Sequence, residues 1–217
     1  MKGAEQAGSL SQAIDWSKVD IGAMDKKTQT DLFRRSRESF ANDPYRPLYH
    51  FSSPAQRIYD PAGLCRWQGK YHMIYLLTGI YLKVPWPRGH AVSADLVHWE
   101  DLPALLVGFS GGTGQLWSDN DKVIMGWASH EHAVVSLATA SDPLLLDWVE
   151  HPNNPVYKPG NDNYIWKEGS IYYLTKRVHR FDPGLDFVSG RTTLELLRSK
   201  DLATAGRAVS LSKTTDV

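Results

Sequence analysis

The chain has 217 residues, enough for one large domain or a domain with an appendage, and 42% of them are hydrophobic, so a packed core is within reach. Twenty-four Lys and Arg balance twenty-four Asp and Glu, which excludes the strongly basic profile of a nucleic-acid or anionic-membrane binder and favours a neutral ligand. Eight Trp and ten Tyr stand out, because aromatic rings pack on sheet faces and also stack on sugar rings.

The first residues, MKGAEQAGSLSQAIDW, lack the apolar centre of a signal peptide, and no run approaches the roughly 20 apolar residues of a membrane helix. The expected location is therefore cytoplasmic. Asp25 is a fitting N-cap for a helix over residues 25–42, with Leu32, Phe33, Ser36 and Phe40 near helical spacing and Pro44 and Pro47 to stop it. Residues 1–45 read as a helical appendage that packs on the main domain, and 46–217 as that domain. Cys65 is a single cysteine, so no intrachain disulfide forms; beside Leu64 it reads as a small buried hydrophobe rather than a nucleophile.

From Arg46 onward the pattern changes to short alternating runs separated by turns. LCRWQGKYHMIYLL, GQLWSDNDKVIMGWA and NYIWKEGSIYYLTK are three hairpins, with Trp67, Trp117 and Trp166 just before their turns and 50 and 49 residues apart. A second marker trails each hairpin: SADLVHWEDLP at 93–103, ASDPLLLDWVEHP at 140–152 and RSKDLATAG at 198–206. A doubled period near 50 residues, with about four strands in each, predicts β-propeller blades rather than a sandwich of similar hairpins. Three blades leave strand edges open, and association into oligomers through those edges is expected.

Two carboxylates stand out. Asp60 lies at the entrance of the first strand of its repeat, and innermost propeller strands line the channel where ligands bind; a carboxylate there can attack an anomeric carbon. The alternative is an Asp-Pro turn starter. Asp162 lies two repeats on, four residues before Trp166, where Asp60 precedes Trp67 by seven. Repeat symmetry aims both at one channel; the alternative is an Asx-turn in Gly160-Asn161-Asp162-Asn163. His90 and His98 lack the spacing of metal ligands and read as structural.

RPLYHFSSPAQRIYDPAGL, GKYHMIYL and RGHAVSADLVHWEDLPALL together resemble the start of the catalytic domain of glycoside hydrolase family 32, over residues from about Arg46 to Asp201. The resemblance implies an all-β, five-bladed propeller, of which about three blades are present, and retaining cleavage of β-fructofuranosides such as sucrose, inulin or levan. It implies Asp60 as nucleophile, Asp162 as stabiliser of the oxocarbenium-like transition state, and Tyr59, Trp86, Phe109, Ser110 and Asn161 as substrate contacts. The family's first motif has Trp and two Asn where this chain has Arg57, Tyr59 and Ala62; it has Gln where Leu76 stands and Arg where Asn161 stands. A neutral amide thus replaces a multi-donor cation. The family's general acid lies in a Glu-Cys motif opening a fourth blade, and neither Glu168 nor Glu195 suits that role, so these residues alone are expected to be inactive. No cofactor or metal is implied; the partner is a carbohydrate, not nucleic acid or membrane. Two alternatives remain: a non-catalytic carbohydrate-binding propeller, and an arabinofuranosidase or xylosidase of related fold.

Overall fold

The computed structural model describes residues 14–47, 49–55, 57–78, 87–105, 112–129, 134–158, 161–180, 191–202 and 208–209. Helix α1 spans Lys26–Ser39 behind Asp25, whose carboxylate accepts the Thr28 N–H at 2.7 Å and so caps the first turn. It ends three residues short of the expected boundary. Phe40 already turns its N–H to the carbonyls of Arg37 and Glu38, so Pro44 stops nothing. Leu32, Phe33 and Ser36 are buried as the spacing predicts, whereas Phe40, beyond the last turn, is 39% exposed. Gln29 fills the inward face instead. Its amide donates to the carbonyls of Ile21 and Met24 and accepts the Ala104 N–H at 2.9 Å.

Among the described residues, twelve strands follow in three antiparallel sheets, each a meander in chain order. The first holds β1 (Arg57–Trp67), β2 (Lys70–Thr78), β3 (Arg88–Ser93) and β4 (Trp99–Leu105). The second holds β5 (Gly114–Asp119), β6 (Lys122–Ser129), β7 (Val134–Ala140) and β8 (Val149–Glu150). The third holds β9 (Asn161–Glu168), β10 (Ile171–Arg180), β11 (Arg191–Ser199) and β12 (Ala208–Val209). The leading strands meet, β1 against β5 and β5 against β9, so the sheets fan out from a common side as blades do.

The trailing markers are turns built to one plan. Asp95 accepts the N–H groups of Val97 and His98, Leu96 takes a left-handed φ of 67°, and the Trp99 indole N–H donates to the Leu96 carbonyl. Asp142 likewise gathers the N–H groups of Leu144, Leu146 and Asp147, Leu145 has φ 51°, and Trp148 donates to its carbonyl at 2.7 Å. In the third copy the Asp201 N–H still donates to Ser199 Oγ, as Asp95 does to Ser93. The other marker needs a correction. Trp67 faces Lys70 across its turn, while Trp117 faces Ile124 and Trp166 faces Tyr173, so Trp67 occupies the position of Asp119 and Glu168 rather than that of the other two Trp.

Apolar seams join the parts. Ala62, Ile74 and Leu76 pack on Leu116, Met125 and Trp127 between the first two blades, and Ile124 and Leu137 pack on Ile165 between the next two. Phe33, Leu32 and Ile21 cover Tyr75, Leu77 and Ala91 on the other face of the first blade. Each large side chain so buried contributes roughly 1.5–3 kcal/mol. Gly63 lets β1 and β5 close up: a Cβ there would stand 2.6 Å from Leu116 Cγ and 2.8 Å from its backbone nitrogen. Gly63→Val is therefore expected to cost at least about 1–3 kcal/mol, read as a lower urea midpoint, because backbone cannot step aside cheaply. An unchanged midpoint would mean that the seam is looser than these distances require.

Candidate active site

Meandering sheets fix which ends meet. β1 and β9 start at the end where β2 and β10 finish, and the connections at 79–86, 106–111, 130–133 and 181–190 leave from that same end. Asp60 and Asp162 both stand there, on the leading strands of the first and third blades, with β5 between them. Trp86, Phe109 and Ser110 fall in those connections, outside the described residues, as does the side chain of Asn161.

Both carboxylates sit where the ladder breaks. Ile58 pairs with Leu77, Pro61 with Tyr75 and Gly63 with Ile74, so β1 carries two register shifts around Asp60. Pro61 has no N–H to give the ladder, which makes a bulge the natural accommodation. Tyr59 and Asp60 are exposed in it, with the Arg57 guanidinium 5.9 Å from the Tyr59 ring centre. In β9, Asn161 pairs with Arg177 and Tyr164 with Thr175, leaving an extra residue between them. Asp162 lies in that shift with a left-handed φ of 43°. Bulges re-aim side chains and recur beside active sites. Counted from structurally equivalent turn positions, Trp67 and Glu168, the offset between Asp60 and Asp162 shrinks from three residues to one, well within what the extra bulge of β1 explains.

The Asp162 carboxylate is held on both oxygens. Thr113, at the entry to β5, donates its hydroxyl to Oδ1 at 2.6 Å, and Arg177 on β10 donates to Oδ2 at 2.9 Å. Carboxylate and guanidinium are each nearly half exposed, so solvent screens this pair, and it orients more than it stabilises. Sequence reasoning had passed over both partners. The available signal was register: Arg177 stands six places after the first residue of β10, on the rung of Asn161.

Other ionisable groups are accounted for elsewhere. Glu168 accepts the Trp166 indole N–H in the turn at the far end of β9, and Glu195 is paired to the buried Lys176 at 2.9 Å. Burial pushes the Cys65 thiol up to about 12, against a smaller opposing hydrogen bond with Ser118, which leaves it protonated and inert at neutral pH. His98 is exposed and bound to Asp95 at 2.7 Å, a structural role as expected. His90 is structural too, but only half satisfied. It shares one hydrogen bond with His72 at 3.1 Å inside the first blade, and His72 Nε2 and His90 Nδ1 have no hydrogen-bond partner among the described residues. No group of three or more His, Cys, Asp or Glu that could hold a metal occurs among the described residues. Among the described residues, a cleft of about 720 Å³ lies between α1 and β8 and is lined by Lys26, Gln29, Leu105 and Trp148; neither Asp60 nor Asp162 borders it.

Residues 50–170 match the model of the glycosyl hydrolases family 32 N-terminal domain. The vacuolar acid beta-fructofuranosidase 1 of a Rosa hybrid cultivar is 35% identical over 130 residues, 52% of this chain and 22% of that protein. The acid beta-fructofuranosidase of Solanum lycopersicum is 34% identical over 176 residues, 71% of this chain and 27% of its own length. The fold is like that of a family 32 beta-fructofuranosidase from Bombyx mori, with a TM-score of 0.63 at 24% identity over 85% of this chain and 42% of that one. The chain thus spans about a quarter of the length of these curated relatives, and its three sheets are blades of a partial propeller. The family match runs unbroken from the strand that carries Asp60 to the strand that carries Asp162, and the chain belongs to glycoside hydrolase family 32.

Proposed function

We propose that this chain supplies the fructosyl-binding half of a retaining β-fructofuranosidase site, with Asp60 as nucleophile and Asp162 as transition-state stabiliser. The observation that carries this reading is the pair of bulges: two carboxylates on leading strands, at one end of the blades, each lifted out of its ladder. In retaining hydrolysis one carboxylate attacks the anomeric carbon while an acid protonates the departing oxygen. A covalent glycosyl ester results, which water then hydrolyses. Relatives named as β-fructofuranosidases, and a Bombyx mori variant in complex with sucrose, point to a fructoside as the sugar. Glu168 and Glu195 are engaged elsewhere, and this reading assigns neither of them the role of acid for a natural leaving group.

A leaving group that needs no proton separates the two halves of the mechanism. β-D-Fructofuranosyl fluoride departs as fluoride, so attack by an Asp60 oxygen breaks the carbon–fluorine bond and leaves the fructosyl group esterified to the protein. The chain is expected to gain the mass of one anhydrofructose on incubation with this reagent, at a peptide containing Asp60. It is expected to release little fructose from sucrose, because general acid assistance is worth about 10²–10⁴-fold. A chain left unlabelled at saturating fluoride would count against the proposal and favour a carbohydrate-binding propeller without chemistry.

A further inference from the structure

The contacts around Asp162 assign a role to a residue on a different strand. We propose that Arg177 is a positioning residue which, with Thr113, fixes the Asp162 carboxylate in the orientation that meets the sugar; this rests on the reading of Asp162 given above. Asp162 is a non-glycine residue at φ 43°, a conformation that costs about 1–2 kcal/mol and persists only where surroundings hold it. Two contacts from different elements do so. Thr113 approaches from the second blade at 2.6 Å and Arg177 from the neighbouring strand of the third at 2.9 Å, one to each oxygen.

A carboxylate oxygen accepts in about two directions, so the way internal donors turn the group decides how it presents itself to a sugar hydroxyl. Thr113 and Arg177, one on each oxygen, set that orientation. Arg177 suits this task because its guanidinium is a planar, multi-donor fork, and 47% of its side chain is exposed. The residue across the rung, Asn161, is neutral, so the positive charge beside Asp162 is delivered from β10 rather than from β9.

The test uses the fluoride reagent on the whole chain. Arg177→Met is expected to lower the saturating labelling rate roughly 10–100-fold, as displacement of a reacting group by about an ångström does, with the half-saturating concentration nearly unchanged. The thermal midpoint should stay, because the pair is half exposed. Arg177→Lys should recover much of the rate. In an Asp162→Asn background, Arg177→Met should cost less than about twofold, since the group it positions is gone. An equal loss in both backgrounds, or a loss that follows a fallen thermal midpoint, overturns the assignment. Should even the unaltered chain resist labelling, the fructosidase reading fails and a crystal structure of Arg177→Met decides this one separately. A carboxylate that turns away from Thr113 supports positioning, and one that stays in place overturns it.

Discussion

Asp60→Asn is expected to abolish covalent capture of β-D-fructofuranosyl fluoride, a loss of about 10⁴-fold or more, while the unfolding midpoint is unchanged. An amide keeps the size of the carboxylate but has neither its charge nor its nucleophilic lone pairs, and loss of a catalytic nucleophile commonly costs about 10⁴–10⁶-fold. The fold should not register the change, because Asp60 is exposed within a bulge and helps to close no ladder. Asp162→Asn should behave differently. A group that stabilises transition-state charge without forming a bond is worth about 10²–10³-fold, so labelling should be slowed yet measurable. The quantity to measure is the rate of mass gain by intact-protein spectrometry. Equal residual rates in the two variants would mean that neither carboxylate is the nucleophile.

The second large effect concerns stability rather than chemistry. His72 and His90 lie in the seam of the first blade with almost no exposure. Desolvation, then repulsion from Lys70, lowers His72 to about 4, and desolvation, then the neighbouring His72, lowers His90 to about 3; Asp142 opposes both shifts. The unfolded chain takes up protons on both rings near pH 6.5, whereas the folded chain resists until much lower pH. Stability is thus fully present above about pH 6.5 and declines as pH falls toward 4, by several kcal/mol for the pair. Urea midpoints at pH 5 and pH 7 should differ clearly, and His72→Leu with His90→Leu should largely remove the difference, since carboxylates titrate lower. A pH-independent midpoint in the unaltered chain, or an undiminished slope in the double variant, would defeat this account.

The same residues mark what a sequence can and cannot reveal. Asp25 before an apolar stripe, Gln68-Gly69 between alternating runs and the recurring Asp-to-Trp turns are local signals, and each produced the element it predicts. Register is not local. Trp67 and Trp117 share a residue type yet stand two positions apart relative to their turns, and nothing in Tyr-Asp-Pro-Ala-Gly announces two shifts in β1 rather than one. Gln29 and His72 were invisible for a related reason. A buried polar side chain is explained by its partners, and those of Gln29 include Ala104, far along the chain, while that of His72 is His90 on the next strand. Of the candidate site, the carboxylates were legible as repeat positions, but the groups that hold Asp162 belong to other strands and were not.

Helix α1 has a consequence in time. Gln29 waits for Ala104, 75 residues later, and Lys26 waits for Asp147, 121 residues later, before either contact exists. At about 5–20 residues per second of synthesis, the helix leaves the ribosome roughly 4–15 seconds ahead of β4 and longer still ahead of the second blade's rim. An isolated helix of 14 residues is marginal in water, so it spends that interval unformed or unattached. The helix is thus made before the blades it packs on, and it locks only once they are in place.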